Sequence, residues 1–307
     1  MIIAETDHAA IQLPQSMDGY TMISFDFSKG LASVRSSLLA ILLKWWDTHP
    51  LPWNEVDSIT QCMMQMMAFK LRSLEVSLEG MPLVPNGKPQ TLHVDFSTAA
   101  AIARGIYETA FIYHNIFIST DDENERDVLL NIWRIKGYNN RNDIPIPEEL
   151  LVQKQQNEEV IETLKIRIRE TLRRMDISSS AVDKIEKFIK KGKNLKGYHF
   201  VKEEGLITDV RQVNFANADS LFNSKHQKGT YTFLSYQSHP SYLGIEQFGN
   251  INNSKQYNED KICYLMPACF CASKFTNDAC KILSDGLKIK NEVVPDFRAT
   301  INLFSGI

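Results

Sequence analysis

The chain has 307 residues, 43% of them apolar and 23% charged, as in an ordinary globular protein rather than a disordered or low-complexity one. Its 34 basic and 37 acidic side chains leave a formal charge of −3, which excludes a globally basic nucleic-acid coat and an acidic disordered chain. The length allows one large domain or two small ones, with a sizeable core.

The N-terminus lacks a basic start followed by an apolar stretch. The greasiest run, Leu38 to Leu43, is interrupted at Lys44. Neither secretion nor a membrane span is expected. The five cysteines are an odd number, and Cys263, Cys269, Cys271 and Cys280 lack paired C-x-x-C spacing. They read as buried free thiols in a reducing cytoplasm rather than as zinc ligands.

Residues 1–28 read as irregular or extended. A helix is expected from Leu31 to Asp47, with Leu38, Leu39, Leu42, Trp45 and Trp46 as its apolar stripe. Asn54 caps a second helix, Glu55 to Glu79. Its stripe is Val56, Ile59, Met63, Met66, Phe69 or Lys70, Leu74 and Leu78. Met63, Met64, Met66 and Met67 read as flexible core filling. A third helix, capped by Ser97 and running to Ile118, is apolar nearly all round and belongs at the centre of a bundle. Asp121 and Asp122 open a fourth, through Tyr138.

From Glu148 to Asp176 the pattern is long, charged and helical. Ser178 to Ser180 cap another helix, Ala181 to Lys191. Further helices are expected at Ala216–Asn223, Thr230–Ser238 and Pro267–Leu287. Gly244 to Asn258 is rich in Asn, Gly and Ser and reads as an exposed loop. The tail after Lys290 reads as extended. Long 3.6-residue periodicity and scarce alternation make the fold all-α: a multi-helix bundle with a long charged helical insertion. The division expected is an irregular segment 1–28, a discontinuous helical domain of 29–146 and 203–290, the insertion 147–202 and a tail 291–307.

One segment carries candidate chemistry. On a helix, Tyr231, Ser235 and His239 lie four apart on one face. Pro240 makes His239 the last helical residue, near the carbonyl end, where the protonated ring is favoured. Far upstream, Arg104 and Glu108 form an i,i+4 pair inside the greasy third helix. Two readings follow. In one, Arg104, Glu108, Ser235 and His239 are a buried, satisfied network that fixes helix register. In the other they form a pocket: His239 as general acid/base or anion contact, Glu108 orienting it, Arg104 holding a phosphate or carboxylate.

Other signals are weaker. Seven lysines lie between Lys184 and Lys202 against one acid, Glu186. Lys187, Lys190 and Lys191 are the candidate phosphate-facing residues, but a solvated helix face with a loop after Gly192 is the favoured reading, because few aromatics interleave them. His93 and Asp95 have no second pair with metal-ligand spacing. No phosphate-binding loop, dinucleotide fingerprint, nucleophile elbow or zinc-protease motif is present, so no cofactor is expected.

The segments Ala103-Arg104-Gly105-Ile106-Tyr107-Glu108 and Tyr231, Leu234, Ser235, His239, Pro240, Ser241 resemble a family of bacterial all-helical proteins of unknown function. That family carries A-R-x-x-x-E and Y-x-x-L-S-x-x-x-H-P-S motifs. The resemblance spans residues 50–250. It implies a helical fold with Arg104, Glu108 and His239 near one another, and residues 147–202 as an insertion. It implies no activity. A more distant similarity is to HEPN ribonucleases, helical bundles whose Arg and His cut RNA without metal at a dimer interface. The positions that would hold their Arg before His239 are Thr232, Phe233 and Leu234, so Arg104 would have to supply the cation from another helix.

The expected function is that of a cytoplasmic bacterial binding or regulatory protein with an unidentified ligand, in which the Arg104–Glu108–His239 network is mainly structural. The alternatives are an HEPN-like ribonuclease acting on RNA, and a nucleic-acid accessory protein using the lysine segment. A homodimer and no membrane contact complete the expectation.

Overall fold

The computed structural model describes residues 26–82, 92–142, 151–191, 197–212, 215–216, 229–239, 242–254 and 257–295. The architecture is all-α, with two small antiparallel hairpins.

Helix α1 (Phe27–Thr48) is capped by Asp26, whose carboxylate accepts from the Lys29 amide at 3.2 Å. Leu31, Val34, Leu38, Ile41, Leu42 and Trp45 form its buried stripe. Each such side chain contributes roughly 1.5–3 kcal/mol of apolar burial. Helix α2 (Glu55–Glu79) starts where Asn54 caps it, the amide oxygen accepting from the Asp57 backbone at 2.8 Å. It ends at Gly80, whose φ of 81° favours glycine. Met63, Met64 and Met67 are core, but Met66 is half exposed. Phe69 faces solvent, and Lys70 leans on the next helix instead of joining the core.

Strands β1 (Met81–Pro82) and β2 (Leu92–His93) pair antiparallel before helix α3 (Phe96–Phe117). Asp95 caps α3, not Ser97 as expected. Its carboxylate accepts from the Thr98 amide at 3.0 Å and from the Thr98 hydroxyl at 2.6 Å. That role accounts for Asp95 without a metal. As its composition requires, α3 is central: it packs against α2 and against two later helices, α7 (Thr230–Ser238) and α9 (Tyr257–Ile282).

Helix α4 (Glu123–Asn142) follows, its first turn held by Asp122, which accepts from the Glu125 amide. Helix α5 (Leu151–Leu172) lies along α4, burying Ile161, Leu164, Ile168 and Leu172. Helix α6 (Ser179–Lys191) is tied to α5 by Arg169, which grips Glu186 through two hydrogen bonds of 2.7 and 3.0 Å.

The helical excursion expected through residue 202 stops at Lys191. Beyond it lies a hairpin, β3 (Tyr198–Glu203) and β4 (Leu206–Gln212). Its two-residue loop, Glu204 and Gly205, has positive φ at both positions (51° and 88°), the handedness that suits tight hairpins. Tyr198 stacks on Phe188 at 4.2 Å, so neither ring is a free platform for bases.

The described part of the expected Ala216–Asn223 helix is a short turn at 215–216; the rest lies outside the described residues. Gly244–Asn258, expected as a loop, is largely helical: α8 (Tyr242–Ser254) runs through it and packs against α7 and α9. Helix α9 starts ten residues before the expected Pro267 and carries that proline inside. Helix α10 (Gly286–Val293) occupies the start of the tail that had read as extended. Cys269, Cys271 and Cys280 are buried free thiols. Among the described residues no helix is long and apolar enough to cross a membrane.

Candidate functional site

Arg104 and Glu108 lie one turn apart on α3, and α7 lies along that face. Gly229, with φ of 84°, turns the chain into α7, and the next residues place Tyr231 and Ser235 toward α3. The helix ends at Ser238. His239 is the capping residue in extended conformation (φ −106°, ψ 149°), one position later than the helical placement expected for it.

The expected residues come together. Arg104 Nε donates to Glu108 Oε1 at 2.9 Å, and the Tyr231 hydroxyl donates to the same oxygen at 3.1 Å. Arg104 Nη1 donates to His239 Nε2 at 3.0 Å and makes a longer contact of 3.4 Å with Ser235 Oγ. The guanidinium carbon stands 5.1 Å from the centre of the Tyr231 ring. Tyr231 is backed by Phe215 and Tyr107, at ring separations of 5.4 and 5.7 Å.

One expectation changes. The network is not buried: the Arg104 and Glu108 side chains are 25% and 30% exposed, and His239 is exposed. A guanidinium has only donors, so in its contact with Arg104 the His239 Nε2 is the acceptor.

Ala101, Arg104, Gly105, Glu108, Ser238 and His239 line an open cleft of about 240 Å³ between α3 and α7. Burial works against the Arg104 charge, but Glu108 more than offsets it and holds the guanidinium above its ordinary pKa. Burial raises the Tyr231 phenol, and the Glu108 charge reinforces the shift.

The sequence reading missed one neighbour. Lys70 of α2 donates from Nζ to the Gly105 carbonyl at 2.8 Å and to Thr109 Oγ1 at 2.7 Å. Burial lowers its pKa, and Glu108 partly restores it. The only available signal was a lysine in a helical position that also suited an apolar residue. Around the cleft, Arg104 and Lys70 against Glu108 leave one net positive charge when His239 is neutral.

The lysine candidates lie elsewhere. Lys187 and Lys190 are exposed on α6, which packs on β4 and α4; the Lys191 side chain is outside the described residues. Lys184 pairs with Asp209, and Lys202 with Asp121 and Glu125. Pro240 and Ser241 also lie outside the described residues. Among the described residues, no group of three or more His, Cys, Asp or Glu side chains is placed to hold a metal ion.

His114 is of a different kind. It meets Asp278 at 2.7 Å in the core between α3 and α9, where the aspartate side chain is 2% exposed. Both side chains are enclosed by the core.

The sequence matches no known family model, and no curated protein or solved structure is significantly similar to it.

Proposed function

We propose that this chain is a helical ligand-binding protein whose α3–α7 cleft takes a small anionic group. The supporting observation is an arginine held in place by Glu108, Ser235 and His239 while a quarter of its side chain stays open to the cleft. A strut would be enclosed, as His114–Asp278 is. Nε and Nη1 are engaged within the protein, which leaves Nη2 of the positioned guanidinium to donate to a phosphate or carboxylate. A cytoplasmic setting, in a bacterial cell as the motif resemblance implies, fits the buried free thiols. Thermal unfolding with added inorganic phosphate or acetate tests the reading. The wild type gains stability with at least one anion, and Arg104→Gln loses that gain. No gain with either anion contradicts it.

A second reading, metal-independent RNA cleavage, is favoured by one observation: Arg104 of α3 reaches His239 after α7, the cross-helix pairing that such chemistry would require here. In it Arg104 turns to the phosphate and frees His239 Nε2 to take the 2′-hydroxyl proton; the 2′-oxygen attacks phosphorus, the P–O5′ bond breaks, and the 5′-oxygen takes a proton from solvent, leaving a cyclic phosphate. RNA cut in EDTA by the wild type and spared by His239→Ala supports it; RNA left intact by the wild type removes it.

A further inference from the structure

Two departures from local rules meet at one point on α3. Gly105 sits in the interior of a 22-residue helix, where glycine is less favourable than alanine. Lys70 sits half-buried beside it, and its hydrogen bonds go to neutral oxygens: the Gly105 carbonyl and the Thr109 hydroxyl. Among the described residues no carboxylate comes within 4 Å of its ammonium. Half-burying a cation without such a partner works against folding.

The two departures explain each other. A β-carbon on residue 105 would stand 3.3 Å from Lys70 Nζ and 3.7 Å from Lys70 Cε. Glycine gives the ammonium a few tenths of an ångström more room against the α3 backbone. The Thr109 hydroxyl, which also donates to the Gly105 carbonyl at 2.7 Å, closes the arrangement. Two of the three ammonium protons are thereby fixed, and the third remains for a ligand.

The place adjoins the cleft: Gly105 is one of its lining residues, and Lys70, which does not itself line it, rests against that glycine. On the α3 surface, Arg104 and Gly105 point about 100° apart, with Ala101 and Glu108 between them. Arg104 therefore reaches toward α7 on one side, and Lys70 reaches in from α2 on the other.

We infer that Lys70 is the second cationic contact of this cleft, and that the anion it takes is a phosphate group shared between Lys70 and Arg104. The inference rests on the anion-binding reading above. A carboxylate satisfies one flat donor edge, whereas the several oxygens of a phosphate can engage a planar guanidinium and a separate point charge together.

The test is a calorimetric titration of the full chain with inorganic phosphate, dimethyl phosphate and acetate. Wild type, Lys70→Gln, Gly105→Ala and Arg104→Gln are compared. The wild type is expected to bind at least one phosphate more tightly than acetate. Lys70→Gln is expected to weaken phosphate about tenfold or more and acetate far less, because a hydrogen bond to a charged group is lost. Gly105→Ala, which leaves Lys70 present but displaced, weakens phosphate in the same direction and serves if Lys70→Gln fails to fold. A preference for inorganic phosphate marks a terminal phosphate; a preference for dimethyl phosphate marks a diester backbone; either supports the inference. Phosphate binding lost in Arg104→Gln but unchanged in Lys70→Gln and Gly105→Ala overturns the role of Lys70 and leaves the anion site standing. Acetate binding as tight as phosphate overturns the choice of ligand. No binding of any anion by the wild type overturns the site itself.

Discussion

Arg104 Nη1 and His239 Nε2 meet at 3.0 Å, with the guanidinium as the donor. The contact joins residues 135 positions apart, one on the central helix and one just past the end of α7. In that contact Nε2 is the acceptor, which leaves Nδ1 as the nitrogen to carry the ring proton. Nitrogen-15 NMR of the histidine side chains at neutral pH should show that tautomer for His239, assigned by its loss in His239→Ala. A proton on Nε2 would contradict the arrangement.

The two polar clusters on α3 should differ in what they contribute to stability. Asp278 is almost fully buried against His114, with Lys274 and Lys281 each 3.6 Å from its carboxylate. Asp278→Ala should cost about 3 kcal/mol or more in urea unfolding, the usual penalty for breaking a buried pair. His239→Ala removes an exposed partner and should cost about 1 kcal/mol or less. Equal, large losses in both would return the Arg104 network to a structural role.

Gly105→Ala should leave the fold at least as stable as the wild type. Alanine improves the helix by up to about 1 kcal/mol, and the atom it crowds is the flexible end of Lys70 at 3.3 Å. A clear drop in the unfolding midpoint would mean that Lys70 cannot yield there.

Lys136 and the buried thiols should pull stability in opposite directions at alkaline pH. Burial lowers the Lys136 ammonium from 10.5 to about 8. Between those values the unfolded chain binds more protons there, so Lys136 strengthens folding as pH rises. Burial raises the Cys280 thiol from 9.0 to about 12 and the Tyr198 phenol from 10.0 to about 12. In those windows the folded state holds the extra proton, so both groups weaken folding as pH rises. The contribution of Lys136 is read from the difference in urea midpoint between wild type and Lys136→Met, which should shift in favour of the wild type from pH 7.5 to 10. A difference that stays flat over that range would contradict it.

Helices with clear punctuation were legible from sequence. Asn54 and Gly80 bracket α2, so its limits follow from local chemistry alone. The i,i+4 spacings of Arg104 with Glu108, and of Tyr231 with Ser235, put the site residues on common faces, and the structure joins those faces. Helix α8 was not legible, because its Asn and Gly content argues for a loop while packing on α7 and α9 favours a helix. The β3–β4 hairpin lay within or beside a lysine-rich stretch, and its turn is Glu204-Gly205 rather than the stronger Asn-Gly or Asp-Gly signal. Lys70 was hidden for another reason. Its partners are a backbone carbonyl and a threonine hydroxyl 35 and 39 residues away, which no local pattern reveals.

The most direct measurement is a phosphate titration followed through the histidine side-chain resonances. The chain has seven histidines, and His239 is the one that lines the cleft among the described residues. The His239 signals should shift in a saturable way with inorganic or dimethyl phosphate, while the His114 signals stay in place, and Arg104→Gln should abolish the shift. His239 signals that stay fixed through the titration, or that move identically in Arg104→Gln, would contradict an anion site in this cleft.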